Sequence, residues 1–235
     1  MEGKQSTTVY TLPTRELQER AKPPRCLQSC TAVACAGLVY CLAGFDLLLD
    51  NATADVRAYN PGMDSWVAGP AFPAAVQGMQ AAEHGGCVYA CGGLLGSDDD
   101  PPSAALLMLD PRTRAWASLP PMPIPVACAG AAVVAGRMYV PGGQADLDGA
   151  ETVSVVQCYD VAAGCWDTGC APLSVPRSCH CVAVMHGEVW AVGGEGEPDE
   201  VLDSVEVFSP QANTWRAGVP LPSAAYYGAC AVLQC

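Results

Sequence analysis

Few side chains in this sequence could support catalysis or bind a metal. Histidine occurs only at His84, His180 and His186. No Ser-His-Asp order, phosphate-binding glycine loop or paired carboxylate motif can be distinguished from the repeated pattern described below. A copper oxidase would need a set of His and Tyr ligands, which three histidines in strands and turns do not obviously supply. The sequence therefore predicts no catalytic site, no cofactor and no metal.

Cys179-His180-Cys181 is the one string that suggests a metal site. Alternate residues of a strand point to the same face, so both thiols could converge on one ion, but two ligands do not make a zinc site. We favour burial of Cys181 at the inner-strand position that Gly130 holds one repeat earlier. Redox sensing by one of the fourteen cysteines is the weaker interpretation, because no cysteine has the flanking Lys or Arg cluster that lowers a thiol pKa.

Composition and charge narrow the class of protein. The chain has 235 residues, 51% of them hydrophobic, which is enough to bury a core. The net charge of -13 argues against a nucleic-acid partner, since phosphate binding needs clustered Lys and Arg and the chain has only 11. No apolar run approaches the roughly 20 residues that span a bilayer, and the first thirty residues do not resemble a secretory signal. We therefore expect a cytoplasmic protein with reduced cysteines and no membrane contact.

Landmarks in register define a sequence repeat. Tryptophans 50, 50 and 49 residues apart each follow a large apolar side chain by seven positions. A pair of small residues ends each short apolar run that contains an aromatic. We expect both sets to be structural, the small pairs where neighbouring units crowd together and the tryptophans where one unit packs on the next. The pairs are Ala43-Gly44, Gly92-Gly93, Gly142-Gly143 and Gly193-Gly194, and the tryptophans are Trp66, Trp116, Trp166 and Trp215.

Each repeat is predicted to contain four short β-strands, labelled a to d. Turns follow every eight to twelve residues, and no stretch has a helical period long enough for a stable helix. In the third repeat the strands are Ala131 to Val134, Arg137 to Pro141, Val153 to Tyr159, and Trp166 with its neighbours. The pattern favours an all-β repeat protein.

A unit of four strands with a Gly-Gly pair and a tryptophan resembles the kelch repeat. Val-Pro-Arg-Ser at 175–178, the Cys-His-Cys-Val-Ala-Val-Met-His-Gly that follows, and Leu202 to Phe208 look most like the kelch-like proteins, which carry BTB and BACK domains before the propeller. F-box kelch proteins have similar repeats. The resemblance implies an all-β kelch propeller, built of four-stranded antiparallel blades around a channel, that binds another protein and is not an enzyme.

The resemblance further implies a role in the ubiquitin conjugation pathway, as the substrate-recognition part of a cullin-RING ubiquitin ligase adaptor. Cullin would bind only through upstream domains outside this chain. The alternative is a stand-alone scaffold, for instance an actin-associated kelch protein, and a propeller enzyme is a distant third. A BTB or F-box sequence upstream would distinguish the first two, and a bound metal would favour the third.

One propeller is expected over residues 9–235, after a disordered N-terminus at 1–8. The termini would supply a partial blade, from strands c and d at 9–24 and a closing strand at 229–235. Leu17 would then hold the tryptophan position of that blade. A six-bladed relative would have one further repeat upstream. The four complete repeats cover about 28–70, 78–120, 129–170 and 180–219.

In the kelch-like family, the b–c and d–a loops line the substrate-binding face. Acidic residues concentrate in the b–c loops here, and four loops of one sign on one face would select a basic protein or peptide. The alternative is a solvated rim that only aids solubility. The b–c loops are predicted at 45–54, 94–103, 144–151 and 195–202. The acidic residues assigned to binding are Asp46, Asp98, Asp99, Asp100, Asp146, Asp148, Glu195 and Glu197.

Four further residues complete the predicted binding face. Phe45 and the tyrosines Tyr226 and Tyr227 would anchor a partner, with Arg177 at the rim. Relatives that hold acidic segments do so with arginines on this face and an aromatic after each small pair. Only Phe45 keeps that aromatic here, so a preference for acidic segments is not implied.

Overall fold

Each sequence repeat folds into an antiparallel sheet with the strand order a-b-c-d, and four such blades follow one another along the chain. The computed structural model describes residues 7–11, 16–96, 100–145, 151–198 and 200–228. Within these ranges there is no helix, and so none that could cross a membrane. The predicted all-β propeller built of four-stranded blades is confirmed.

The strands have the following bounds. Before the first blade, β1 (Thr7–Thr11) pairs with β2 (Glu16–Arg20). The first blade contains β3 (Leu27–Gln28), β4 (Thr31–Cys35), β5 (Leu38–Asp46), β6 (Asn51–Asn60) and β7 (Ser65–Ala68). The second contains β8 (Val76–Gln77), β9 (Gln80–His84), β10 (Cys87–Cys91), β11 (Leu94–Leu95), β12 (Leu106–Asp110) and β13 (Ala115–Leu119). The third contains β14 (Ala132–Val134), β15 (Arg137–Pro141), β16 (Val156–Asp160) and β17 (Cys165–Asp167). The fourth contains β18 (Cys181–Met185), β19 (Glu188–Val192), β20 (Val205–Ser209) and β21 (Thr214–Ala217).

The observed strands differ from the predicted ones in several details: strand a of the third blade begins at Ala132 and not at Ala131, and β1 begins at Thr7, inside the segment 1–8 that was expected to be disordered. Strand c of the third blade begins at Val156, not at Val153, because the Val153 N–H donates to the Gly143 carbonyl at 2.9 Å instead of joining the ladder. The first b–c loop is reduced to residues 47–50, since Phe45 pairs with Ala52 inside the β5–β6 hairpin. The predicted closing strand at 229–235 lies outside the described residues.

The tryptophans occupy one register position in every blade. Each stands directly opposite the apolar residue seven positions earlier, and Tyr10 and Leu17 oppose each other in the same way across β1 and β2. The pairs in the four blades are Tyr59 with Trp66, Leu109 with Trp116, Tyr159 with Trp166, and Phe208 with Trp215.

Each indole N–H bonds to the segment that leaves the preceding unit. The acceptors are backbone carbonyls 44 to 46 residues earlier in the chain. Each tryptophan therefore contributes both apolar contact area and a directional hydrogen bond to the contact between neighbouring units. The acceptors for Trp66, Trp116, Trp166 and Trp215 are Ala21, Pro70, Pro120 and Ala171, at 2.8, 3.1, 2.8 and 2.8 Å.

The hydrophobic core lies between blades. Val56 of the first blade packs in one cluster with Val88 and Leu109 of the second. The next two interfaces hold similar clusters, one between the second and third blades and one between the third and fourth. Because both faces of the second and third blades are covered, β10 and β15 are nearly continuous buried runs, whereas β4 of the first blade alternates between buried and exposed residues.

The small pair at the end of strand b marks the closest approach of backbone segments. Gly142 has φ +65° and Gly143 has φ +102°. A Cβ at Gly142 would collide with the Arg177 carbonyl oxygen, and the Gly143 N–H donates to that same oxygen at 2.9 Å. The segment entering the next blade therefore runs against this small pair, so that only glycine fits at Gly142 and Gly143.

Candidate protein-binding face and channel

The b–c loops and the d–a segments pair with each other at one end of the blades. In the first blade β3 pairs with Phe45 and Asp46, and in the second β8 pairs with β11. Single bridges join Ala127 to Gln144 and Ser178 to Glu195 in the third and fourth. We call this end the loop face. It consists of the described parts of the b–c loops 45–54, 94–103, 144–151 and 195–202 and of the d–a segments 25–30, 70–79, 120–130, 171–180 and 218–228.

Successive d–a segments are joined around the channel by a ladder of backbone hydrogen bonds. Gly78 donates to the Ser29 carbonyl at 2.9 Å, and Cys128 donates to Gly78 at 2.8 Å. Cys179 donates to Cys128 at 2.7 Å, and Tyr227 donates to Cys179 at 2.9 Å. All five have positive φ, between 48° and 64°. The ladder sets the segments side by side, so the loops they pair with share one face.

A cavity of about 650 Å³ opens inside the ladder. Its wall includes Phe45, the amides Gln28 and Gln77, the thiol-bearing Cys128, and Tyr227. Phe45 is half-buried there, and Tyr227 is 65% exposed. The ring of Tyr226 lies 5.1 Å from that of Tyr227, centroid to centroid. The predicted aromatic residues thus lie at the channel mouth on the loop face.

Asp46 is not the partner-facing carboxylate that the sequence suggested. It is 2% exposed, and its oxygens accept hydrogen bonds from Arg25 Nη1 at 2.6 Å and from the Leu48 and Leu49 N–H groups at 2.9 and 3.3 Å. Burial by itself would raise the Asp46 pKa, but these donors together hold it below its usual range. Asp46 caps the turn of its own loop, because an Asp side chain readily accepts from backbone two residues on.

Arg177 is also placed differently from the prediction. It is fully buried, so it cannot serve at the rim of a binding face. Its Nη1 donates to the carbonyls of Gly193 and Ser204 at 2.8 and 3.1 Å, and its Nη2 donates to Glu206 at 2.9 Å. Burial lowers the Arg177 pKa, and the neighbouring Glu206 opposes that shift. Arg177 therefore anchors the d–a segment 171–180 to the fourth blade, which that segment enters.

Of the remaining predicted acidic residues, Glu195, Glu197 and Asp100 lie in the described part of the chain and the others do not. Glu197 is exposed, and one of its carboxylate oxygens accepts from the Thr152 N–H at 2.9 Å, which joins the third and fourth b–c loops. Glu195 and Asp100 are half-buried on the loop face, and two acidic residues not assigned to binding, Asp50 and Glu200, are exposed there. The others, Asp98, Asp99, Asp146 and Asp148, lie outside the described residues.

The first b–c loop carries an apolar tip that the sequence interpretation missed. Leu47, Leu48 and Leu49 are 41%, 80% and 66% exposed, on the turn that Asp46 holds in place. The sequence signal for this tip was the run of three consecutive leucines between Asp46 and Asp50. Exposed apolar side chains grouped in this way mark an interaction surface.

The sequence interpretation also did not assign the residues of the channel ladder. Ser29, Gly78, Cys128 and Cys179 each stand 14 residues before a small pair, a spacing that was available in the repeat. His180 follows the ladder and is 6% exposed, and neither of its ring nitrogens has a hydrogen-bond partner among the described residues. Burial, with the nearby Arg177 charge, lowers the His180 pKa to about 3, so the ring is neutral.

No metal centre accompanies these groups in the described part of the chain. Within it, no three His, Cys, Asp or Glu side chains come together as metal ligands. Cys179 and Cys181 do not converge, since Cys179 lies on the ladder with φ +51° and Cys181 begins β18. Twelve cysteines lie in the described ranges, and the structure records them as thiols.

Known proteins match this chain along most of its length. The kelch motif model matches residues 27–73, 77–123, 125–169 and 176–222. "Kelch-like protein terF" of Aspergillus terreus (strain NIH 2624 / FGSC A1156) is 26% identical over 240 residues, covering 94% of this chain and 52% of that protein. "Kelch-like protein 33" of Homo sapiens is 35% identical over 125 residues, covering 52% of this chain and 23% of that protein. The chain thus spans about half the length of the first relative and about a quarter of the second.

A solved structure shows the same architecture. "Structure of YjhT" superposes with a TM-score of 0.82 at 17% sequence identity, over 95% of this chain and 80% of the other. At this identity the likeness concerns the fold alone.

Proposed function

This chain belongs to the kelch-repeat family of β-propellers, and from that premise we propose that its loop face binds a protein segment rich in Lys or Arg. The observation that supports the proposal is the composition of this face. Exposed acidic side chains (Asp50, Glu197 and Glu200) share it with the exposed Leu47 to Leu49 tip. Apolar anchors surrounded by charge are typical of protein interfaces.

Charge on the loop face is one-sided. The arginines that lie there are already paired, Arg25 with Asp46 at 2.6 Å and Arg177 with Glu206 at 2.9 Å. In contrast, Arg112 and Arg137 lie at the other end of the blades, near the turns between strands a and b or c and d. A basic segment approaching the loop face would relieve repulsion among its carboxylates, whereas an acidic segment would add to it.

We place this binding activity in a larger adaptor. The proposed role is substrate recognition for a cullin-RING ubiquitin ligase in the cytoplasm, and it rests on the resemblance to the kelch-like proteins. One matching relative is named "Kelch repeat and BTB domain-containing protein 12". In that arrangement the propeller holds the substrate and other domains hold cullin, so a pull-down with this chain alone should recover no cullin. Recovery of cullin would show that the division of roles is wrong.

A pair of labelled peptides tests the binding proposal directly. One peptide alternates Leu with Lys and Arg, and the other has every basic residue replaced by Glu. In fluorescence polarisation the basic peptide should bind more tightly, and its affinity should fall as salt is raised, because the Debye length shrinks to roughly 3 Å at 1 M salt. Changing Asp98, Asp99 and Asp100 together to Asn should weaken binding, whereas Glu83→Gln, at the opposite end, should not. Equal binding of both peptides, or an unchanged triple variant, would contradict the proposal.

A further inference from the structure

Cys128 and Cys179 are brought together at equivalent positions of successive repeats. Both line the channel cavity, Cys128 half-buried and Cys179 7% exposed. The Cys179 N–H donates to the Cys128 carbonyl at 2.7 Å. The two thiols are also close enough to share a hydrogen bond, which is the approach of sulfurs that a disulfide requires. A bond between the two sulfurs would need little backbone movement.

The sulfur of Cys179 has hydrogen-bond donors beside it. The Cys128 thiol donates to it, and the Tyr227 hydroxyl, from the next ladder position, donates as well. These donors stabilise the thiolate more than burial disfavours it, and they lower the Cys179 pKa to about 7. A thiolate is the nucleophilic form of cysteine. Hydrogen bonds from Cys128 and Tyr227 therefore favour the reactive form of Cys179.

We propose that Cys128 and Cys179 form a reactive dithiol, which a hydroperoxide entering the channel oxidises to a disulfide between the segments that enter the third and fourth blades. The Cys179 sulfur attacks one peroxide oxygen and the O–O bond breaks, which leaves a sulfenic acid on Cys179 and releases water or an alcohol. The Cys128 sulfur then displaces hydroxide from that sulfenic acid, and the hydroxide takes the Cys128 proton. Two thiols and one hydroperoxide thus yield a disulfide, one water, and a second water or an alcohol.

A second thiol pair provides a comparison inside the same protein. Cys158 on β16 donates a hydrogen bond to Cys170, which lowers the Cys170 pKa. Cys158 is fully buried in the core between the third and fourth blades, and neither residue lines the channel cavity. If access through the channel decides reactivity, the Cys128 and Cys179 pair reacts first.

Peptide mapping of the oxidised chain tests the proposal. The protein is treated with a small excess of hydrogen peroxide, remaining thiols are blocked, and the chain is cut with trypsin after Arg114, Arg137, Arg177 and Arg216. Peptide 115–137 contains Cys128 as its single cysteine, peptide 178–216 contains Cys179 and Cys181, and peptide 138–177 contains the comparison pair. The expected product is peptide 115–137 joined to peptide 178–216 with the loss of two hydrogens, and it should revert with a reducing agent.

Three variants make the test specific. Cys128→Ser should leave a sulfenic acid on Cys179 that dimedone traps, Cys181→Ser should react like the unchanged protein, and Tyr227→Phe should slow the reaction about threefold to tenfold. The Tyr227→Phe variant keeps both thiols and the ring, so it remains informative if Cys128→Ser does not fold. The proposal is overturned if Cys158 and Cys170 join first, if Cys181 replaces Cys179 in the product, or if Tyr227→Phe reacts at the original rate.

Discussion

Arg177 Nη2 lies 2.9 Å from a carboxylate oxygen of Glu206, and the two side chains are 0% and 6% exposed. Glu206 also accepts the backbone N–H groups of Ser174 and Val175, at 2.8 and 3.2 Å. The pair therefore holds a d–a segment at two points, through the side chain of Arg177 and through the backbone of Ser174. The Arg177–Glu206 pair thereby positions the d–a segment 171–180, which packs over Gly142 and leads into the channel ladder.

Removing the cation from this pair should be strongly destabilising. Arg177→Met is expected to lower the free energy of unfolding by about 3 to 5 kcal/mol, because it leaves the Glu206 charge buried without its partner. The double variant Arg177→Met with Glu206→Leu should recover part of that loss, since no uncompensated charge remains. Urea denaturation followed by circular dichroism measures both. A single variant as stable as the original protein would contradict the structural role of the pair.

His180 should make the protein sensitive to acid. The folded protein holds the His180 pKa at about 3, against 6.5 as its ordinary value. Between these values the unfolded chain binds a proton that the folded protein does not, so stability falls as pH falls, by on the order of 1 kcal/mol for each pH unit.

The position-matched variant is His180→Met, because Met79 holds the equivalent site and is 1% exposed. It should stabilise the protein at pH 5 and flatten the slope between pH 6 and 4. The measurement is unfolding free energy against pH. An unchanged slope would mean that other groups set the acid sensitivity.

The small-pair glycines and the glycines of the a–b turns should respond differently to substitution by alanine. Gly142→Ala puts a Cβ into the Arg177 carbonyl oxygen, whereas a Cβ at Gly187 has nothing within 4 Å, although both residues have positive φ. Gly187→Ala should cost about 1 kcal/mol for the backbone conformation alone, and Gly142→Ala clearly more. Thermal melting of the two variants compares them. Equal losses would argue against close packing at the small pair.

Trp116 should contribute to the stability of the fold through both its ring and its indole N–H. The indole packs edge-on against Phe72, with centroids 4.9 Å apart, and donates to the Pro70 carbonyl at 3.1 Å. Trp116→Ala is expected to lower stability by about 3 kcal/mol, and Trp116→Phe by about 1 kcal/mol, since it keeps a ring but loses the hydrogen bond. Denaturant titration distinguishes these values, and a Trp116→Ala variant of unchanged stability would refute the inter-blade role.

The leucine tip should matter for binding and not for folding. Leu48 and Leu49 are 80% and 66% exposed, so changing both to Ser should alter stability by less than about 0.5 kcal/mol. Affinity for the basic leucine-containing peptide should fall about tenfold or more if the tip is an apolar anchor. Met63→Ser is the matched control, because Met63 is 75% exposed at the opposite end of the first blade. Similar effects of both changes would exclude a specific role for the tip.

The fold was largely predictable because its determinants recur locally. The spacing of Trp66, Trp116, Trp166 and Trp215 predicted the blades, and the structure adds that each faces the apolar residue seven positions earlier across strands c and d. Strand b of the third blade was predicted with its observed bounds, Arg137 to Pro141. The site was less predictable, since the exposure of a loop side chain depends on neighbours elsewhere in the chain.

Sequence alone determined the all-β class, the repeat register and the acidic character of the b–c loops, because these follow from residue types at short, regular separations. Only the tertiary structure decided that Asp46 and Arg177 are buried while Leu48 is exposed. It also decided that Cys128 and Cys179 meet, since their contact joins residues about fifty positions apart. No flanking charge marks that pair in the sequence. The donors that activate Cys179 reach it across neighbouring blades, so the thiol environment exists only once the blades have packed.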